Sequence, residues 1–557
     1  MKKIIMTITS VLVAVAMSAA EHVVERTYLS TDKSCYVAGD NIWISAFCID
    51  ASDGGNFSAF SSIAYVELCS ESGVEATCKL ALIDGRGSGA LVIPRAIPTG
   101  NYKLIAYTAQ NRNEVGYDFF ESAKTVSIFN TFSSARSSNV ELVTDGDYAA
   151  VESHVPENSG DMSVVMESRR GRTARLRVRN GGSKAATLSV SVYHEDGIAA
   201  PSNHGVSDFL AKTSKVGNVD FQNNVIPDFE GEVIVGHCVG ENARTYYGNN
   251  AVVSNPGDLC GIYYSAIDEN GDVTFVTNNF YGDNILVSQI ENLGGVEGAH
   301  LEFDSPFVDN RASDIATLRV SPMLEKDLSL RGAAMQIEKL FASDTLYDKL
   351  PQRPNLLLSA EQPRRYVLED YTRFPLMSEV FVEFVNGIRF RTDAKKHYVH
   401  VTLLDSSKPA DNAHGSLVLL DGTPVLDHQK IYEYDPLLVE RIDIYPSTYF
   451  VGPRCCNGIV NLVTYKRDMT GFVFPESVRA IDFQGACWPV AYTCRNIASD
   501  PNYPDYRSTV YWHPLVDIEG GGSFVFDCQL PSYEGNFKVV VEGLSEDGKP
   551  ICETFSF

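Results

Sequence analysis

Positive charge is what this chain has too little of. Its 46 lysines and arginines stand against 71 aspartates and glutamates, for a formal net charge of −25. Nucleic acid and anionic lipid both call for a basic face, so neither is expected as a partner. Beyond the first 20 residues no run approaches the ~20 apolar residues of a membrane-spanning helix. Catalytic motifs are missing too. The 11 histidines form no His-Glu-x-x-His pair, no Gly-x-Ser-x-Gly elbow is present, and no P-loop lysine follows the loop Gly85–Gly89. His397 and His400 lie three apart, so a strand sends them to opposite faces. Glu440 and Asp443 share that odd spacing, which argues against a paired-carboxylate acid/base scheme. The acidic turn around Asn270 does not meet the EF-hand pattern. No catalytic, cofactor-binding or metal-binding residue is assigned, and the chain is expected to be noncatalytic.

No Cys-x-x-Cys pair occurs among the 12 cysteines, which disfavours zinc and leaves disulfides or buried thiols. Lys2-Lys3, the apolar stretch Ile4–Met17 and the small residues Ser18-Ala19-Ala20 have the form of a secretory signal peptide, residues 1–20. Export permits disulfides. Cys69 with Cys78, Cys487 with Cys494, Cys238 with Cys260 and Cys528 with Cys552 are the pairings considered. Vicinal Cys455-Cys456 reads as small-residue packing, with a redox role as the alternative.

Hydrophobic residues at 44% and charged residues at 21% are ordinary globular proportions, so 557 residues should fold as several domains. Period-2 patterns dominate, and the expected class is mainly β: tandem sandwiches with one small α/β domain. Residues 21–135 read as a sandwich, with Ile42, Ile44 and Ala46 alternating and turns at Asp84-Gly85 and Pro98-Thr99-Gly100. Residues 136–225 read as a second module. There Leu176 and Val178 alternate with Arg175, Arg177 and Arg179, and Asn180–Ser183 turns toward Leu188, Val190 and Val192. Those arginines, with Arg169, Arg170 and Arg172, are the candidate partner-binding patch. Residues 226–305 form a third module with an Asn270-Gly271 hairpin. Residues 306–354 are a helical connector with an apolar stripe of Ala334, Ile337, Leu340 and Phe341. Glu379–Val385 is a strand or a short helix. Residues 469–557 are a last sandwich.

The most specific stretch is Ser416–Arg467. Leu417–Leu420 is a continuous apolar run, as in a strand covered on both faces. Asp421-Gly422 turns the chain, Asp435-Pro436 caps a short helix, Arg441–Ile444 alternates, and Asn457-Gly458 precedes a closing strand. This order resembles the plug domain of TonB-dependent outer-membrane receptors, over residues 355–468. The resemblance rests on Asp421, Gly422, Pro424, Val425, Glu440, Ile442, Ile444, Gly452, Asn457, Gly458 and Thr464. Similarly, Thr31-Asp32-Lys33-x-x-Tyr36-x-x-Gly39-Asp40 and Pro98–Thr108 resemble macroglobulin MG2 domains, without those proteins' Gly-Cys-Gly-Glu-Gln thioester motif. Residues 226–305 look like a carboxypeptidase-regulatory-type sandwich, and 469–557 like an immunoglobulin-like one.

A plug normally fills a barrel of about 22 strands, and the 89 residues after Asp468 fall far short of one. The resemblances therefore imply an exported scaffold or partner-binding protein of the periplasm, outer membrane or cell surface. Its partner would be a protein such as a β-barrel receptor. The alternatives are an accessory or pore-plugging subunit of a transport or secretion complex, and, less favoured, an enzyme of unrecognised family.

Overall fold

The computed structural model describes residues 23–148, 161–217, 219–257, 261–278, 280–292, 295–341, 347–349, 362–393, 396–404, 415–493 and 504–557. The signal segment, Cys260 and Cys494 lie outside them. The protein is mainly β, built of sandwiches with one smaller α/β part. Its described residues divide into two compact units, each assembled from separated segments. One comprises residues 23–229, 307–352 and 486–557; the other comprises 230–306 and 353–485.

The first unit begins with a nine-stranded sheet folded over on itself. The fold-over is the Val74–Ile83/Arg86–Val92 hairpin, whose Asp84 and Gly85 both take positive φ, as a tight hairpin turn requires. Ile42, Ile44 and Ala46 enter a core with Val66, Leu80 and Leu104. The residues between them are buried as well, because a second sandwich packs there. Trp43 lies 5.2 Å from Trp512 and 5.6 Å from Tyr492, and the Ser45 hydroxyl is 3.0 Å from that of Ser189.

The second sandwich joins segments expected to belong to separate modules. Its smaller sheet is Met162–Arg170, Thr173–Asn180 and Ser523–Gln529; its larger sheet places Ala186–Glu195 between Thr509–Ile518 and Asn536–Ser545. Residues 136–225 and 469–557 thus supply parts of one domain. Each has strands with an apolar face, and neither has enough of them to close a core; together they bury Leu176, Val178, Leu188, Val190, Val516 and Val541. Asn180–Ser183 is accordingly no hairpin. It crosses from one sheet to the other, and the Asn180 amide closes that end by donating to the Lys184 and Ile518 carbonyls.

Two of the four considered disulfide pairings, Cys69 with Cys78 and Cys528 with Cys552, fail on the same geometry, and the other two fall partly outside the described residues. Cys78 lies opposite Val66, and Cys69 opposite Val74. Three strand residues, about 10 Å, exceed the ~7 Å Cα limit of a disulfide. Cys528 faces the second sandwich's core, whereas Cys552 faces Tyr28 and Phe209 on the other side of its sheet. A helix the pattern reading missed, Val206–Thr213, supplies Phe209; its signal is the i, i+3, i+7 series Val206, Phe209, Thr213, all buried. The connector holds the expected helix, Glu325–Phe341, but its stripe is shifted. Ala334 and Met335 are buried, while Leu340 is 81% exposed.

Asp32 ties the first unit together. It is fully buried, and its carboxylate accepts from the Trp43 amide (3.1 Å), the Lys33 ammonium (3.0 Å) and the Thr509 hydroxyl (2.5 Å). The Tyr36 hydroxyl lies 2.8 Å away, and the Asp32 carbonyl accepts from Ser191 at 2.6 Å. Burial works against the Lys33 charge, but Asp32 and Asp40 outweigh it and raise its pKa above the usual lysine value. Asp32→Ala removes the nearer counter-ion, leaving the ammonium buried with only Asp40 at 3.4 Å, and strips the acceptor from the Trp43 amide and the Thr509 hydroxyl. We expect a loss of about 3–5 kcal/mol, read as a lower urea midpoint for this unit.

The second unit contains a smaller sandwich. Glu232–Val239 lies between Asp272–Thr277 and His300–Phe303. The facing sheet runs Ile262–Ala266, Asn250–Ser254, Asp283–Ile290 and Arg479–Gln484. The last strand was expected in the C-terminal module. Asn270-Gly271, read as a hairpin turn, again crosses between sheets. Asp268 organises it, its carboxylate accepting from the Asn270 and Asp272 amides at 2.8 Å each.

The α/β part carries a sheet ordered Arg364–Val367, Val439–Val451, Arg454–Thr464, Leu417–Leu420 and Thr423–Pro424, with Leu417–Leu420 parallel to its long neighbour. Glu379–Val385 resolves as the helix Met377–Glu383. Leu417–Leu420 is buried on both faces, as its sequence anticipates. Val418 and Leu420 pack with Ile442, Ile444 and Val460, while Leu417 and Leu419 pack with Val252, Ile262 and Tyr264 of the sandwich.

His237 links three sandwich strands, with Nδ1 2.8 Å from Asp272 and Nε2 3.2 Å from Asp304. The hydrogen bond to Asp272, then Asp304, raises its pKa above the ordinary histidine value. A raised folded-state pKa stabilises fully below the unfolded value of about 6.5 and is lost as pH rises through the folded one. Stability of this unit should therefore fall as pH rises from about 6.5 through the higher folded-state value. His237→Asn should flatten that slope in thermal melts taken across pH.

Candidate protein-interaction site

Two sets of residues stand out from the sequence, and the structure puts them to different uses. The first set is the signature within Ser416–Arg467. Asp421, at φ +48°, is 2% exposed. One carboxylate oxygen accepts from the Thr464 amide at 2.7 Å, the other from the Thr464 hydroxyl at 2.6 Å and the Met469 amide at 2.8 Å. Gly422, at φ +84°, donates its amide to the Asn461 side chain at 3.1 Å. The Pro424 carbonyl accepts from Gln289, and the Val425 amide donates to Val418. Ile442 and Ile444 are core. Glu440 is half-buried and pairs with Arg467 at 2.5 Å.

The turn lies elsewhere than expected. Val439–Val451 and Arg454–Thr464 are joined at Gly452, φ +55°, where a Cβ would come within 2.5 Å of the Tyr264 carbonyl. Asn457-Gly458 sits inside the second strand. The partner strand bulges there, between Tyr445 and Thr448, and Gly458 takes φ +82° against Val401. An in-strand glycine facing a bulge has the same sequence appearance as a turn glycine.

Cys455 and Cys456 alternate along this strand, Cys456 buried and Cys455 less so. Burial raises both thiol pKa values, and the nearby Arg454 offsets only part of that. Both therefore favour the unreactive thiol over the nucleophilic thiolate. His397 and His400 fall in Lys396–Val401, on opposite faces. His397 stacks on Tyr432 at 3.8 Å. Among the described residues no group of three His, Cys, Asp or Glu is placed to hold a metal ion.

The signature is thus spent on internal contacts. Asp421→Ala orphans two backbone donors and one hydroxyl, at about 1–3 kcal/mol per buried group. Asp421→Asn keeps an acceptor and tolerates the positive φ, so it should lose clearly less; urea unfolding of both variants separates them.

The second set is the arginine strand. Ala174, Leu176 and Val178 point inward with no exposure, which turns Arg175, Arg177 and Arg179 outward on the middle strand of the smaller sheet. Glu167 takes Arg177 at 2.5 Å and Arg175 at 3.5 Å, and Asp527 lies 3.7 Å from Arg175. Arg172 leaves the face to pair with Asp505 and donate to the Leu530 carbonyl. Arg169, Arg170 and Arg179 are exposed, with no ion-pair partner among the described residues. Beside them Val165 and Met166 are 48% and 38% exposed on Met162–Arg170. No described strand pairs with the outer edge of that strand. Among the described residues, the result is a sheet face and edge with apolar side chains, three cations without ion-pair partners and main-chain groups open to an added strand.

No protein-family model matches the chain, and no curated protein does. Solved structures that align with it include an α2-macroglobulin from Salmonella reacted with methylamine, at 8% identity and a TM-score of 0.23 over 96% of this chain and 39% of that one. Escherichia coli α2-macroglobulin activated by porcine elastase aligns at 9% identity and a TM-score of 0.24, over 96% and 43% of the two chains. An Escherichia coli adhesin aligns at 10% identity and a TM-score of 0.14, over 48% and 59%. The chain spans about two fifths of the length of the macroglobulins it matches.

Proposed function

We propose that this is a noncatalytic, exported, partner-binding protein of the bacterial envelope, acting as a scaffold at the outer membrane. Its MG2-like and plug-like modules serve as rigid supports. The observation that carries the reading is the Met162–Arg170 edge strand, with whose outer side no described strand pairs; it exposes Val165, Met166, Arg169 and Arg170, and Arg179 is exposed on the neighbouring strand, opposite Ser163. In a protein of net charge −25, a local cationic edge favours an acidic, extended protein segment. Such a segment can add to the sheet by main-chain hydrogen bonds while its carboxylates meet the arginines. The signal-peptide pattern at residues 1–20 supports export, and the plug-like stretch supports a place beside an outer-membrane barrel.

The test is chemical cross-linking in intact cells followed by outer-membrane fractionation. It compares the native protein with the triple variant Arg169→Glu, Arg170→Glu, Arg179→Glu. A specific cross-linked partner should be recovered with the native chain. Charge reversal should reduce that recovery about tenfold, equivalent to ~1.4 kcal/mol. Salt well above 0.1 M should weaken the purified complex, because the Debye length is then under about 10 Å. Equal recovery with the variant, or a chain found only in the cytosol, would overturn the reading.

A further inference from the structure

The second unit carries a pocket of about 380 Å³, open to solvent and within the range of small-molecule sites. Its lining includes Phe472, Phe474 and Val478 from the segment after the Arg454–Thr464 strand, together with Leu417 and Val425. Phe472 and Phe474 pack edge to face at 4.7 Å.

The polar groups of the lining are mostly engaged already. Arg454 is paired with Glu291, whose carboxylate also accepts from Asn250 at 2.8 Å. Lys396 lies 4.0 Å from Asp427. The Ser416 hydroxyl donates to the Asn457 carbonyl and accepts from the Val401 amide. The Gln289 amide donates to Pro424, and His428 Nδ1 accepts from Val399. Lys430 differs. Its ammonium donates to the Val473 carbonyl and lies 5.7 Å from the Phe472 ring, with no carboxylate in ion-pair range among the described residues. An ammonium carries three donors, and a neutral carbonyl leaves its charge uncompensated. Among the described residues, a pocket whose other cations have carboxylate partners thus retains one open positive charge beside an aromatic wall.

We propose that this cavity binds a small amphipathic carboxylate, with its flat apolar body against Phe474 and Val478 and its carboxylate on Lys430. Two sources share that chemistry: a free organic acid, and the C-terminal residue of a polypeptide ending in an aromatic side chain. The assignment is independent of the arginine edge.

Calorimetry on the full exported chain, with 4-phenylbutyrate, N-acetyl-Gly-Phe and the C-terminal amide of N-acetyl-Gly-Phe as probes, tests it. At least one carboxylate probe should bind, about tenfold tighter than the amide. Preference for 4-phenylbutyrate identifies a free acid, and preference for N-acetyl-Gly-Phe a polypeptide terminus. Lys430→Met should remove the carboxylate preference, and Lys430→Arg should retain it. Val478→Trp, which fills the cavity from a surface segment, should abolish binding with the melting temperature near that of the native chain. Equal affinity for acid and amide, a preference that survives Lys430→Met, or no binding of any probe at millimolar concentration would overturn the proposal.

Discussion

A buried carboxylate needs every one of its oxygens satisfied, and the first unit is arranged around one that is. Asp32 is buried with Lys33, Thr509, Tyr36 and the Trp43 amide around its carboxylate. Its neighbours come from residues 36, 43 and 509, so one side chain closes contacts across more than 470 positions of sequence. Glu67 repeats the device. It takes the Tyr107 hydroxyl at 2.6 Å and the main-chain amides of Val308 and Asn310 at 3.0 and 3.1 Å, fastening the connector to the N-terminal sandwich. Asp421 does the same within the second unit. Each holds a segment that would otherwise present unpaired amides to the interior.

The same constraint explains how a discontinuous chain becomes two compact bodies. The second sandwich forms only when Ala186–Glu195 meets Thr509–Ile518 and Asn536–Ser545, so its ladders are long-range. Such contacts close late, after much loop entropy has been lost. Polar anchors on the shared face, Ser45 on Ser189 and Asp32 on Ser191 and Thr509, give that late assembly a single register.

The proposed binding sites are the polar groups that the described fold leaves unused. The conspicuous signature of Ser416–Arg467 is consumed internally, from Asp421 on Thr464 to Gly458 against Val401. The less conspicuous groups are the open ones among the described residues: Arg169 and Arg170 on an edge strand, Arg179 on the strand beside it, and Lys430 on a pocket with an aromatic wall. Neither Lys430 nor its aromatic wall forms a motif, because the wall lies about 45 residues downstream and only packing unites them.

Local physics was legible in the sequence. Period-2 alternation told inward from outward residues in Thr173–Asn180, unbroken apolarity marked Leu417–Leu420 as doubly buried, and Asp435-Pro436 announced its cap, with the Asp435 carboxylate accepting from Leu437 at 2.8 Å. These depend on side-chain direction and backbone chemistry within a few residues. Partnership was decided by the tertiary structure alone. Asn180–Ser183 and Asn270-Gly271 have hairpin composition yet cross between sheets, and Asn457-Gly458 lies in a strand whose turn is at Gly452. The reason is physical: a glycine's positive φ and an apolar face are local properties, whereas the strand that satisfies them is chosen by which distant segment completes the core.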